Sequence, residues 1–286
     1  MDNITKPCDI CLDEKCEGRH DCNCSTCKLA SACVRHLHPT IRITNRCTQQ
    51  CGHCCFESHQ KSNIMMTVEM SEKIAKFLRN NGVDSVNLMG GEFFCNSNWF
   101  DILSNIISEV KIARLVTNGD WVNSPAVKEQ LKEFVGKFKN NMYFCISKDK
   151  WHTNTNVDAA KEYLEELGAI VRVATEDQTT DQSIVPVGRA MGKYISGIYD
   201  MMACYCQNQE NQYAFLIDEE GSIYKCPFGI FKYATVNEYV DGGFRARFKE
   251  YNKFFYSKFI PSCNTCVQFV SMHNGKDGKQ IMVKNE

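Results

Sequence analysis

The sequence predicts an α/β fold whose strands run parallel in one sheet. Between residues 40 and 173, short segments of strand character take turns with amphipathic segments of helix length. Such alternation with short connections favours parallel strands joined by right-handed crossovers. Polar and glycine-rich motifs follow the strands directly, at the C-terminal edge of the predicted sheet, where α/β folds place their chemistry.

The first elements are a strand, a helix and a second strand. Residues 41–44 alternate between apolar and polar side chains, as a half-buried strand does. Thr67 is a suitable N-cap for a helix with apolar residues at helical spacing up to Arg79, and Asn81-Gly82 ends it. Residues 85–89 are predicted as the second strand, which ends at a glycine pair.

The alternation continues through the middle of the chain. Residues 99–110 predict a helix, and residues 113–117 predict a strand that ends at an Asn-Gly turn. Residues 124–138 predict the third helix and residues 142–146 the fourth strand. A fourth helix is expected over residues 157–167, ended by a glycine.

The last predicted strand of this series covers residues 170–173, and the alternation stops after about residue 196. Residues 213–217 and 222–224 then flank an acidic turn that ends in Gly221. Two short strands around such a turn predict a β-hairpin.

The composition excludes several classes of function. The chain carries 33 basic and 34 acidic side chains, a net charge of −1, whereas nucleic-acid-binding proteins usually show a basic excess. No apolar run approaches the roughly 20 residues that cross a bilayer, and residues 1–6 lack the pattern of a secretory signal. Nucleic acid and membrane are therefore not expected as partners, and a cytoplasmic location is expected.

Cysteine is the unusual component, with 18 residues. Disulfides need an oxidising compartment, for which no export signal is visible. The cysteines also cluster: seven lie between Cys8 and Cys33, and four lie between Cys47 and Cys55. Closely spaced thiolates converge on a metal ion or cluster, so metal ligation is favoured over a disulfide framework.

Cys47, Cys51 and Cys54 form a C-x3-C-x2-C motif after the first predicted strand. Three thiolates on a 4Fe–4S cube leave its fourth iron open to a small molecule. A structural zinc site would need a fourth ligand, which the neighbouring Cys55 or His53 could supply. The motif alone leaves both kinds of site open.

The wider pattern resembles the radical SAM superfamily, whose members cleave S-adenosylmethionine (SAM). The resemblance covers about residues 40–196 and rests on the three-cysteine loop together with Gly90-Gly91-Glu92 at the end of the second strand. It implies a partial (β/α)6 barrel of the TIM type over residues 40–197. It also implies that SAM is cleaved reductively at the cube to a 5′-deoxyadenosyl radical, which abstracts hydrogen from a substrate. Residues 185–190 resemble a segment that follows the later strands of that barrel.

The resemblance also implies roles for particular residues. Cys47, Cys51 and Cys54 would hold the cube. The SAM-binding residues that it implies are Gly90, Gly91, Glu92, Asn118, Ser147 and His53. The glycines would leave room for the methionine end of SAM, and the charge of Glu92 suits the SAM ammonium group. His53 stands where the family usually has an aromatic residue against adenine, and an imidazole ring can also stack.

The C-terminal cysteines resemble a small auxiliary-cluster domain called Twitch, a reduced form of the SPASM domain. Such a β-hairpin and helix domain is expected over residues 198–286. The resemblance implies one auxiliary 4Fe–4S cluster, with Cys206 favoured over Cys204 because its spacing to the next cysteine is closer to that of the family. Its four implied ligands are Cys206, Cys226, Cys263 and Cys266.

A Cys-rich extension over residues 1–39 forms a third predicted region. Seven thiols in so short a segment indicate a metal site in a reducing cell, and either zinc or a further iron–sulfur cluster fits, with a cluster preferred. The candidate ligands are Cys8, Cys11, Cys16, Cys22, Cys24, Cys27 and Cys33.

Cys95 and Cys145 stand apart from these groups. Each is expected to be a packing residue, with the donation of hydrogen to a substrate radical as the alternative role. The catalytic residues are otherwise unassigned.

The predicted activity is the radical modification of a peptide by crosslinking, oxidation or epimerisation, with an electron donor such as flavodoxin or ferredoxin. Two alternatives remain open: a radical SAM dehydrogenase that acts on a small molecule such as an amino sugar, and a zinc-binding interaction module.

Overall fold

The structure is a computed structural model that describes residues 37–149, 151–153, 156–175, 214–225 and 232–248, with residues 189, 229 and 250. The N-terminal cysteines and the predicted auxiliary-cluster ligands lie outside these residues. None of the helices within these ranges is long and apolar enough to cross a membrane.

The described chain alternates strands and helices as predicted. The strands are β1 (His38–Arg42), β2 (Ser85–Met89), β3 (Ile112–Thr117), β4 (Met142–Lys148), β5 (Val171–Thr175), β6 (Ala214–Ile217), β7 (Ser222–Tyr224) and β8 (Lys232–Thr235). The helices are α1 (Val68–Asn80), α2 (Trp99–Ile107), α3 (Pro125–Phe138), α4 (Val157–Glu166) and α5 (Val236–Tyr239).

The strands form one eight-stranded sheet in the order β5-β4-β3-β2-β1-β6-β7-β8. Strands β1 to β5 are parallel to their neighbours, which confirms the predicted α/β fold. One face of the sheet packs against the helices through fully buried side chains such as Leu88, Leu115 and Phe144 on the strands and Phe77 and Phe134 on the helices. Because β1 to β5 run in the same direction, their C-terminal ends share one edge of the sheet.

Local sequence explains where the first and third helices begin. The Thr67 side chain accepts a hydrogen bond from the N–H of Met70, and Ser124 accepts one from Val127 with proline in the first turn of α3. Both are favourable N-cap arrangements. The first strand was predicted over residues 41–44, whereas β1 covers His38–Arg42, so the predicted bounds are about three residues too far toward the C-terminus.

The predicted hairpin is present as β6 and β7, and it belongs to the same sheet. β6 pairs in parallel with β1, and β7 and β8 follow antiparallel. In the turn, Asp218 accepts from the N–H groups of Glu220 and Ser222 at 3.0 and 2.8 Å. Glu219 is buried, and both of its carboxylate oxygens accept from Arg42 Nε at 2.9 Å. This acidic turn is thus part of the packing between β1 and β6.

Candidate metal centre and cofactor cavity

Cys47, Cys51 and Cys54 lie in the loop after β1, and all three line one cavity. Cys47 and Cys51 are buried, Cys54 is half-buried, and all three are free thiols. Backbone N–H groups point at two of the sulfurs: Gln49 donates to Cys47 Sγ and Ser58 donates to Cys54 Sγ, each at 3.4 Å. Such donors favour the thiolate form that a metal requires.

Burial raises the pKa of Cys47 to about 12 and that of Cys51 to about 11. Both are therefore neutral thiols at pH 7 in the metal-free chain. A metal bound by these residues would offset this cost, because it would stabilise the thiolates. Three free thiols that line one cavity, two of them buried and one half-buried, fit the ligand set of an iron–sulfur cluster with one open iron.

Gly90 and Gly91 bring the end of β2 against the segment that leads into the cysteine loop. The Gly91 N–H donates to the carbonyl of Thr44 at 2.7 Å. A Cβ at Gly90 would lie 2.8 Å from the Thr44 carbonyl oxygen, and one at Gly91 would collide with the Arg46 carbonyl and lie 2.8 Å from Cys47 Cβ. Glycine is thus required here by the close approach of two backbones, a reason separate from the room for SAM that the resemblance implies.

Glu92 lies behind the two glycines and is only 1% exposed. Its carboxylate accepts from the Thr117 hydroxyl at 2.9 and 3.0 Å and from the Asn118 backbone N–H at 2.8 Å. Burial raises the pKa of Glu92 to about 7 in spite of these bonds. The side chain thus fixes the end of β3 to the end of β2, and its contact with a SAM ammonium group stays a prediction.

Asn118 begins the turn after β3 and lines the cavity. Its amide donates to Thr48 Oγ1 at 3.0 Å and lies 3.7 Å from Cys47 Sγ. Asp120, in the same turn, accepts from the Thr48 hydroxyl at 2.6 Å and from the Gln49 amide at 3.1 Å. The end of β3 is therefore tied directly to the cysteine loop.

The cavity has a volume of about 190 Å³ and lies at the C-terminal edge of the parallel strands, as predicted. Five of the six residues predicted to bind SAM line it. They are Gly90, Gly91, Asn118, Ser147 and His53. Met89 and Val116 add apolar surface from the strands themselves.

His53 belongs to a polar cluster that the sequence did not predict. His152 Nδ1 lies 2.8 Å and His53 Nε2 3.8 Å from Asp149 Oδ2, while the N–H groups of Trp151 and His152 donate to Asp149 Oδ1. Burial opposes ionisation of Asp149, but the hydrogen bond and charge of His152 and the charge of His53 outweigh it and lower the pKa to about 2. The cluster holds His53 and His152 against the cavity.

The two candidate hydrogen donors lie close to the site. Cys145 on β4 is 4% exposed, accepts from Arg114 Nη2 at 3.2 Å, and pairs across the sheet with the cavity-lining Val116. Cys95 follows Glu92 in a short 3-10 helix, where burial raises its pKa to about 11. Neither Cys95 nor Cys145 is among the described residues that line the cavity, so hydrogen donation by either stays a prediction. Cys55, the neighbour of the third motif cysteine, does line the cavity.

Arg189 is a cavity residue to which the sequence assigned no role. Its Nε donates to the Cys51 carbonyl at 2.8 Å, its Nη1 to the Ser58 carbonyl at 2.7 Å, and its backbone N–H to the Cys54 carbonyl at 3.0 Å. The only signal in the sequence was its position in the segment of residues 185–190.

Comparison with known proteins agrees with this arrangement. Residues 41–147 match the model of the radical SAM superfamily. The matched range begins in β1 and ends in β4, so it contains the cysteine loop, the glycine pair and the Asn118 turn.

Two curated proteins of Bacillus subtilis (strain 168) are similar to part of the chain. The antilisterial bacteriocin subtilosin biosynthesis protein AlbA is 33% identical over 113 residues, which cover 40% of this chain and 24% of that protein. The putative peptide biosynthesis protein YydG is 30% identical over 117 residues, which cover 40% of this chain and 36% of that protein. The chain thus spans well under two thirds of each relative.

A solved structure, polyhistidine-tagged anSMEcpe with bound AdoMet, is similar with a TM-score of 0.50 at 15% identity. The match covers 71% of this chain and 78% of that one. At this level of identity the similarity concerns the fold alone, and it agrees with an open parallel sheet of the partial-barrel type.

Proposed function

We propose, from the premise that residues 41–147 form a radical SAM domain, that the protein binds a 4Fe–4S cluster through Cys47, Cys51 and Cys54 and uses it to activate SAM. When bound and reduced, the cluster would supply the reductive cleavage of SAM to a 5′-deoxyadenosyl radical that abstracts hydrogen from a substrate. The observation that carries this proposal is the convergence of three free thiols and the glycine pair on one cavity.

The described residues would act by binding and orienting the cofactors. Gly90 and Gly91 leave backbone at the cavity wall, and the Asn118 amide and the Ser147 hydroxyl offer polar atoms to the ribose or carboxylate of SAM. His53 offers a flat ring for adenine. Because the Asn118 turn and the cysteine loop are tied together, the cluster and SAM would be held in a fixed relation.

A peptide is the proposed substrate. The supporting observation is that two of the curated relatives, AlbA and YydG, carry names of bacteriocin or peptide biosynthesis proteins. Crosslinking, oxidation and epimerisation are all compatible with a radical that abstracts hydrogen from a peptide. A flavodoxin or ferredoxin would deliver the electron, and a cytoplasmic location would keep the thiols reduced.

The remaining cysteines are proposed to hold further metal. Cys206, Cys226, Cys263 and Cys266 would ligate an auxiliary 4Fe–4S cluster in a Twitch-like domain over residues 198–286. With four ligands, that cluster would transfer electrons rather than bind substrate. The cysteines of residues 1–39 would hold a third cluster, and metal analysis of anaerobic protein tests this: stoichiometric zinc, with no more iron than two cubes need, would contradict it.

Product analysis tests the proposed activity. Anaerobically reconstituted protein, given dithionite and SAM, is expected to release 5′-deoxyadenosine, and the variant with Cys47, Cys51 and Cys54 all changed to Ala is expected to release none. No product from the wild type would overturn the proposed activity. Equal product from the variant would overturn the assignment of the cluster to this loop.

A further inference from the structure

Arg189 contacts the cluster loop at three points. Its two side-chain bonds reach the carbonyls of Cys51 and Ser58, and its backbone N–H reaches the carbonyl of Cys54. One residue, distant in sequence, thus spans the segment that carries two of the three cluster cysteines. The side-chain distances of 2.8 and 2.7 Å are those of charge-assisted hydrogen bonds.

The cluster loop is a backbone that needs such support. It contains two successive turns. In the first, the Cys54 N–H donates a hydrogen bond to the Cys51 carbonyl, and in the second the Glu57 N–H donates to the Cys54 carbonyl. Glu57 adopts a φ of +54°, a left-handed conformation that costs free energy for a residue with a side chain and persists only where the surroundings hold it. A planar guanidinium that binds carbonyls at both ends of the segment supplies that restraint.

Arg189 also brings positive charge to the cavity. It lines the same cavity as the three cysteines, and its guanidinium lies against the backbone of a cluster cysteine, with Nε 2.8 Å from the Cys51 carbonyl oxygen. Three thiolates make the cluster anionic, and reduction adds a further negative charge. A fixed cation nearby favours the reduced form more than the oxidised one.

We propose that Arg189 is a positioning residue for the SAM cluster, which it serves in two ways: its hydrogen bonds keep the loop of Cys51 and Cys54 in the ligating conformation, and its charge raises the reduction potential of the cluster. This inference rests on the proposed function, because it assumes that the loop holds the cluster. The two roles are separable, since lysine keeps the charge but cannot form the planar fork.

The test compares Arg189→Gln and Arg189→Lys with the wild type, each as the whole 286-residue chain reconstituted anaerobically. The potential is followed through the part of the reduced-cluster EPR signal that changes when SAM is added, which separates this cluster from any other. Arg189→Gln is expected to shift the potential to more negative values, and Arg189→Lys to leave it close to that of the wild type. Both variants are expected to lose SAM-responsive iron to a chelator about tenfold faster, the equivalent of one charged hydrogen bond.

Arg79→Gln is the matched control, because Arg79 pairs with Glu109 at an exposed site away from the cavity. It is expected to change neither the potential nor the rate of iron loss. An unchanged potential in Arg189→Gln, or wild-type iron retention in both variants, would overturn the inference while leaving the proposed function intact. If Arg189→Gln does not fold, iron retention in Arg189→Lys decides. A wild-type protein without any SAM-responsive signal would instead overturn the proposed function.

Discussion

Substitution of Gly91 by alanine is expected to remove cluster binding through a purely steric effect. The added Cβ would collide with the Arg46 carbonyl and lie 2.8 Å from Cys47 Cβ. Neither neighbour is the flexible end of a side chain, so β2 and the cysteine loop would have to move apart. Overpacking of this kind typically costs about 1–3 kcal/mol, and here the displacement falls on the first cluster cysteine.

Two measurements follow the effect of this substitution: urea unfolding of the metal-free protein, and iron content with SAM-dependent EPR after reconstitution. Gly136→Ala is the matched control, because Gly136 lies exposed in α3 with nothing within 4 Å of the added Cβ. That variant is expected to gain about 0.5–1 kcal/mol from helix propensity and to bind iron normally. A Gly91→Ala protein with wild-type stability and full SAM-responsive iron would refute the reasoning.

Three further predictions concern stability. Glu92→Gln is expected to flatten the pH dependence of unfolding: burial holds the pKa of Glu92 at about 7, so the folded state retains a proton that the unfolded chain releases, and stability falls as pH rises from about 4.5 to about 7. In urea unfolding of the metal-free proteins, the unfolding free energy of the wild type should fall by about 3 kcal/mol relative to that of Glu92→Gln across that pH window. Parallel plots of unfolding free energy against pH for the two proteins would contradict this. Arg42→Met leaves the buried Glu219 without its partner and is expected to cost about 3 kcal/mol in the same assay, with partial recovery when Glu219→Gln is added. Thr67→Ala removes the N-cap bond of α1 and is expected to cost about 1 kcal/mol.

The repeating part of the fold was predictable because its determinants are local. α1 begins after Thr67 as the cap pattern indicates, and β2 occupies residues 85–89 as predicted. The cavity at the C-terminal ends of the strands was also predictable, since parallel strands place their following loops on one edge.

The features that the sequence left open depend on contacts between distant segments. The pairing of β6 with β1 places Ala214 beside His38, and no local pattern encodes such a partner. The hairpin turn was predicted as acidic, but the burial of Glu219 against Arg42 was not, because it depends on the pairing of β6 with β1. Likewise, Arg189 and the link between Asp149 and His53 depend on which loops the sheet brings together.

The most direct test of the central claim is Mössbauer spectroscopy of protein reconstituted with ⁵⁷Fe, recorded with and without SAM. If Cys47, Cys51 and Cys54 leave one iron open, SAM is expected to change the spectrum of a single iron of one cube. The variant with these three cysteines changed to Ala should then show no SAM-dependent change. A wild-type spectrum that SAM does not alter, or the same change in the variant, would contradict the assignment of this cavity as the SAM-binding metal centre.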